Sequence, residues 1–206
     1  MEMPVKNIAL VTIIVLIALM ALSSVTFKPK FDSSTMTIIE EPLEKNKELQ
    51  IKPGEIYIYS LNNTPANITY QVLRGKNCTA IRIVESAENT GTCLYKDGTD
   101  NSSSNVTFAN PSIIMLKPWM LALHENWRWN TSLYLSVDGS LSYMSSNQYK
   151  VIRTESYRGR LAYVVRENAS DSMPIYEWID ADKRILLKMM GEGYEVVLAE
   201  GLEFEE

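Results

Sequence analysis

From Ile51 onward the chain is written in short apolar–polar alternations broken by turn pairs, and this grammar constrains its fold more than any other feature. "IKPGEIYIYSL" (51–61) turns at Pro53–Gly54 and then alternates through Ile56, Ile58 and Ser60. "NITYQVL" (67–73), "TAIRIVE" (79–85) and "TCLYK" (92–96) follow. After a loop rich in Asp, Ser and Asn (97–105) come "SLYLSV", "YKVIRTESY", "RLAYVVRE", "IYEWID", "RILLKMM" and "YEVVLAE". A period of two buries one face of an extended strand. The separators Asp138–Gly139, Arg158–Gly159, Asp180–Ala181–Asp182 and Gly191–Glu192–Gly193 have the composition of tight turns. Short strands joined by short turns predict an antiparallel meander, with no repeat of fixed period.

One stretch breaks the pattern. "PWMLALHENWRW" (118–129) holds three of the four tryptophans and the only histidine. Pro118 suits the first turn of a helix, where its missing N–H leaves nothing unsatisfied. Leu116, Met120, Leu123 and Trp127 fall at helical spacing, with Trp119 alongside, which predicts a short apolar helix lying across a curved sheet. Trp119, Met120, Leu123, Trp127, Trp129 and Trp178 can be read as core or as the wall of a ligand cavity. The large apolar area of each ring favours core.

The N-terminal part is of a different kind. From Ile8 to Leu22 every residue but Thr12 is apolar, and with Ser23–Thr26 the run reaches roughly 20 residues, enough for a helix to cross a bilayer. The alternative is a cleaved signal peptide, with Ala21-Leu22-Ser23 as a small-x-small site. The retained anchor, in the membrane through residues 8–26, is the preferred reading. Residues 28–50 are charged and carry two prolines, and are read as a stalk with one short strand or turn around Met36–Ile39. The expected division is therefore 1–27 anchor or signal segment, 28–50 stalk, 51–206 β-rich domain.

Lysines flank the apolar run on both sides, so charge does not orient it. Sequons and cysteines do. Asn-x-Ser/Thr without proline occurs at Asn62, Asn67, Asn77, Asn101, Asn105, Asn130 and Asn168, half of the chain's 14 asparagines. Such an excess fits a glycosylated domain on the outer side of the membrane. Cys78 and Cys93 are the only cysteines, and a strand–turn–strand pattern between them can bring them together as one disulfide. Its closed loop contributes roughly 3 kcal/mol. The expected location is the cell membrane, single-pass, with the C-terminal domain extracytoplasmic.

Few chemistries are open to these residues. A net charge of −5 without a basic, aromatic-interleaved stripe argues against nucleic acid. His124-Glu125 lacks the second histidine of a zinc protease, since position 128 is Arg128. Met120 with His124 makes at best a poor copper pair, and no metal or cofactor is expected. No serine stands in a nucleophile elbow and no phosphate loop is present. Glu177, Asp180 and Asp182 are the carboxylates a hydrolase could use, but Asp-Ala-Asp between strands reads first as a turn. The chain is not expected to be an enzyme.

The stretch "YKVIRTESYRGRLAYVVRENASDSMPIYEWIDADKRILLKMMGEGYEVVL" (149–198) resembles lipoprotein-carrier-like domains, the LolA/LolB-like group, in an archaeal-type membrane-anchored form. The resemblance rests on Glu155, Gly159, Ala162-Tyr163-Val164-Val165, Trp178-Ile179-Asp180 and Leu186-Leu187-Lys188. It covers about a quarter of the chain and is structural rather than catalytic. It implies a strongly curved antiparallel half-barrel with helices on its concave face, carrying acyl chains or serving as an envelope scaffold. An anchor, many sequons and a single soluble helix depart from carriers that shuttle.

The expected fold class is accordingly mainly β (α+β): an N-terminal transmembrane helix plus a curved antiparallel sheet or half-barrel with one short helix. The expected function is a membrane-anchored extracytoplasmic glycoprotein domain acting as a binding or accessory module, for an apolar ligand or a partner membrane protein. A structural cell-surface or pilin-like subunit ranks second and an extracytoplasmic hydrolase third.

Overall fold

The computed structural model describes residues 35–62, 67–84, 91–99, 113–137, 140–170 and 172–204. These form eleven strands: β1 (Thr35–Glu40), β2 (Ile56–Leu61), β3 (Asn67–Arg74), β4 (Thr79–Val84), β5 (Gly91–Leu94), β6 (Arg128–Val137), β7 (Ser140–Tyr157), β8 (Arg160–Ala169), β9 (Ile175–Asp180), β10 (Leu186–Gly191) and β11 (Tyr194–Glu200). All belong to one open antiparallel sheet in the order β1-β6-β7-β8-β9-β10-β11-β2-β3-β4-β5. The expected meander is present as two, β2–β5 and β6–β11. They are sewn together where β11 pairs with β2 at Val196↔Leu61 and Leu198↔Tyr59.

Local chemistry explains the joints. Arg158 and Gly159 both have positive φ (51° and 79°), as a two-residue turn between right-twisted strands requires. Register shifts interrupt the ladders at Ile152 in β7, Leu187 in β10 and Ala199 in β11. Each extra residue bends its strand and adds local twist.

Most of the core lies on one face of the sheet, while Ala162, Val164 and Trp178, which alternate with Val165 and Ile179, are buried on the other. Tyr57, Tyr59, Tyr70, Val72 and Ile81 come from β2–β4, and Val151, Val165, Ile179 and Leu198 from β7, β8, β9 and β11. Residues 113–123, called the strap below, cover them. In the strap Ile113, Met115, Leu116 and every residue from Trp119 to Leu123 are buried. It is tied down by Leu186 N–H donating to Met115 O at 2.8 Å, and by Ile114 N–H donating to the Tyr70 hydroxyl at 3.3 Å.

The expected helix is shorter and tighter than its spacing suggested. It is a 3-10 helix over Pro118–Ala122 alone, bounded by extended Lys117 and Leu123. Pro118 forces Lys117 out of the helical region. Beyond Leu116 every residue of the strap is buried but Lys117, which is half-buried, so no polar face selects an α-helix, and a single turn fits the space. Trp127 lies beyond this helix and Trp129 is in β6.

The segment read as a stalk enters the folded unit at Thr35. β1 pairs with β6, while Leu43 and Leu49 pack against the core. Asn46 and Lys47 donate backbone N–H groups to Leu121 O, each at 3.1 Å. The apolar run at 8–26 lies outside the described residues. Among the described residues no helix is long and apolar enough to cross a membrane.

Candidate functional site

Strand register decides which side chains meet beneath the strap. Tyr149 in β7 stands opposite Glu167 in β8, and Val165 stands opposite Glu177 in β9. Residues two apart share a face, so Tyr149, Val165, Glu167 and Glu177 all point to the face that the strap covers. Two carboxyl groups thus sit where alternation calls for apolar side chains.

Their surroundings are dry. Glu177 is only 7% exposed. Glu167 Oε1 accepts hydrogen bonds from the Tyr149 hydroxyl at 2.9 Å and from Asn147 Nδ2 at 3.0 Å. Glu177 lies diagonally across the β8–β9 pair from Glu167, on the same face. Burial pushes Glu177 up to about 8, with the charge of Glu167 adding to the shift and Lys117 opposing it. Burial likewise raises Glu167, against the hydrogen bond from Tyr149 and the charge of Lys117. Lys117, on the strap, is held down to about 8 by burial, opposed by the two carboxylates. Burial raises Tyr149 as well, and raises Tyr194 at the start of β11, which feels both carboxylates. Shifts driven by desolvation plus specific partners are the mark of a candidate site.

An aromatic cluster adjoins this group. Trp119 stacks on Trp127 with ring centroids 5.5 Å apart, and Trp127 on Trp129 at 6.3 Å. Tyr149 lies 5.3 Å from Trp119 and 5.5 Å from Trp129. Trp129 Nε1 donates to Glu41 O at 2.9 Å, giving the buried indole N–H its partner. Met120 and Leu123 are buried in the same strap. The structure therefore brings together five of the six expected wall residues. Trp178 is not with them, because it neighbours Glu177 in β9 and projects to the other face. There Nε1 donates to Glu155 Oε1 at 2.5 Å, Lys188 lies over the ring at 5.3 Å, and Tyr157 is 6.5 Å away.

The hydrolase carboxylates do not converge. Asp180 is 1% exposed and fully engaged: Oδ2 accepts from Arg160 Nε at 2.6 Å, and Oδ1 from the backbone N–H groups of Asp182 and Lys183 at 3.0 and 2.6 Å. It holds the β9–β10 turn. Asp182 is exposed and pairs with Lys47 at 2.9 Å. Glu177 is on the opposite face from Asp180. His124 is exposed while Met120 is buried, and Met120 Sδ accepts from the Lys117 N–H at 3.4 Å. Among the described residues no group of three or more His, Cys, Asp or Glu could hold a metal ion.

Cys78 and Cys93 form a disulfide with Cα atoms 5.6 Å apart, clamping β5 to β4 at the edge of the sheet. Of the sequons, Asn62, Asn67, Asn77 and Asn130 are exposed and Asn168 is half-buried. Asn62 Oδ1 accepts from Glu195 N–H at 2.5 Å, Asn130 Nδ2 donates to Glu41 Oε1 at 2.9 Å, and Asn168 Oδ1 accepts from Arg166 Nε at 2.9 Å. Asn101 and Asn105 lie outside the described residues.

Lys117, Tyr149 and Glu167 were not singled out by the sequence reading. A signal was there: Glu167 continues the alternation of Tyr163 and Val165 in one strand, and Glu177 stands between Ile175 and Ile179 in the next. Comparison with protein-family models, with curated proteins and with solved structures finds no match to this chain.

Proposed function

We propose that this chain is a membrane-anchored, extracytoplasmic glycoprotein module whose sheet is a half-barrel, of the lipoprotein-carrier-like kind, that holds an apolar ligand or an apolar segment of a partner membrane protein on its concave face. The observation that carries this reading is the reach of the strap. Trp119 packs on Tyr149 of β7, while the adjacent Pro118 lies against Gly98, four residues past the end of β5. On a flat sheet β5 and β7 would be about 38 Å apart, at ~4.8 Å for each of eight strand steps. Four residues of extended chain span at most about 14 Å. A sheet curled around the strap accounts for both contacts, and the bulges in β7, β10 and β11 supply bending points.

A trough so formed is lined by aromatics and filled by a segment with one turn of regular structure. Apolar walls with a few convergent polar groups are the usual make-up of a ligand site. The buried acidic pair and Lys117 are those polar groups.

Titrating the full-length protein with a fluorescent acyl-chain probe tests the reading. Saturable binding that quenches tryptophan emission, and that weakens at least about tenfold in Trp119→Ala, is the expected result. Non-saturable partitioning that is identical in the two proteins would remove the apolar-ligand form of the proposal.

A further inference from the structure

One buried cation near the strap has no carboxylate of its own. Arg184, in the β9–β10 turn, is 5% exposed, and its Nε and Nη1 have no hydrogen-bond partner. Those two nitrogens carry most of the N–H donors of a guanidinium. Among the described residues the carboxylates around this turn are taken: Asp180 by Arg160, Asp182 by Lys47 and Glu55 by Lys183. The guanidinium carbon lies over the Tyr163 ring, 4.8 Å from its centroid. That contact offsets part of the desolvation of the charge but accepts none of the in-plane N–H groups. A buried lysine can shed its proton, whereas an arginine stays charged, so the unmet donors and the charge both weigh on the folded state.

Its place relates it to the covered face. Tyr163 stands opposite Ile179 and shares its face with Val165 and Glu167, so Arg184 sits on the side that the strap covers. Leu186, two residues on, donates its N–H to Met115 O of the strap. From Tyr163 to Glu167 is four residues of extended strand, about 14 Å. Tyr149 and Trp119 adjoin Glu167 there. A cation thus marks one end of this stretch of β8 and aromatic rings the other, with Val165 between them. We infer that Arg184 receives the anionic head, a carboxylate or phosphate oxyanion, of an amphiphile whose apolar tail lies along β8 toward Trp119. An oxyanion supplies acceptors and a counter-charge in one group, and its charge-assisted bonds to a guanidinium are among the stronger hydrogen bonds. The inference rests on the binding reading above and gives that ligand its charge.

Calorimetric titration of the full-length protein with decanoate, decanol and inorganic phosphate, at about pH 7 where the carboxylate is ionised, makes the test. Decanoate should bind saturably and at least about tenfold more tightly than decanol, which has the tail without the charge. Phosphate, a head without a tail, should bind more weakly than decanoate. Arg184→Met removes a buried charge that has no carboxylate of its own and should fold as the parent does. In it the preference for decanoate should vanish, while decanol binding stays within about twofold of the parent. Arg184→Gln is a second variant, which decides if the first fails to fold. Equal binding of decanoate and decanol by the parent, or a preference that survives in the variants, overturns the inference and leaves the apolar-ligand reading standing. Phosphate bound as tightly as decanoate overturns the amphiphile in favour of a free oxyanion. Saturable binding of neither decanoate nor decanol removes the apolar-ligand reading and the inference with it.

Discussion

Glu177 and Lys117 oppose each other in their effect on stability, and the two signs can be worked out separately. The folded state holds the proton of Glu177 up to about pH 8, whereas an unfolded glutamate releases it near its ordinary value of 4.5. Across that interval the folded protein binds more protons than the unfolded chain, so stability falls as pH rises. Glu167, also raised, adds to the same slope. Lys117 is shifted the other way, from 10.5 to about 8, so above pH 8 the unfolded chain binds more protons and stability recovers. Urea unfolding followed from pH 5 to 9.5 should therefore pass through a minimum near pH 8. At that pH Glu177→Gln should be more stable than the parent by about 2 kcal/mol, since it removes a buried charge and keeps an acceptor. A flat profile in the parent would contradict these assignments. Asp180 is buried and fully partnered. Asp180→Ala strands the Arg160 guanidinium and two turn amides, and should cost about 3 kcal/mol in the same assay.

At the level of elements, two contacts stand out for what they hold in place. The disulfide clamps β5, a four-residue edge strand, to β4. Replacing Cys78 and Cys93 together by serine should lower stability by roughly 3 kcal/mol. Hydrogen exchange should quicken first in β4 and β5, before the β7–β8 ladder. Trp119→Ala removes one end of the tryptophan stack and its contact with Tyr149, and a loss of about 3–5 kcal/mol in chemical denaturation is expected for a buried tryptophan. The strands themselves were legible because their alternation is clean: the runs at 56–61, 67–73, 79–85, 92–96 and 194–200 reappear in β2, β3, β4, β5 and β11. The first half of β7 was not, since in "SLSYMSSNQ" only Leu141, Tyr143 and Met144 are apolar and the short alternation they begin ends at Met144. The helix was half-read: the helical spacing of Leu116, Met120, Leu123 and Trp127 was real as a pattern. Those side chains are buried from several directions at once, so packing set the backbone and the period did not. The buried carboxyls escaped notice because a glutamate in a strand ordinarily marks the wet face. Their depth follows from the strap that covers them, a long-range contact no local window contains.

On the scale of the whole molecule, the joining of β11 to β2 lets two meanders act as one sheet. Nothing local announced that seam; it is set by which edges remain after each meander has formed. The exposed sequons at Asn62, Asn67, Asn77 and Asn130 leave the covered face free, as a glycosylated binding module would need. We propose that this face holds something other than the strap. Native mass spectra of the full-length protein, gently extracted from its own membrane, address it most directly. Glycan mass is expected, together with an apolar adduct or a partner subunit that is retained in the parent and lost on Trp119→Ala. A glycosylated or bare monomer that carries nothing else, under conditions that preserve other membrane assemblies, would contradict it.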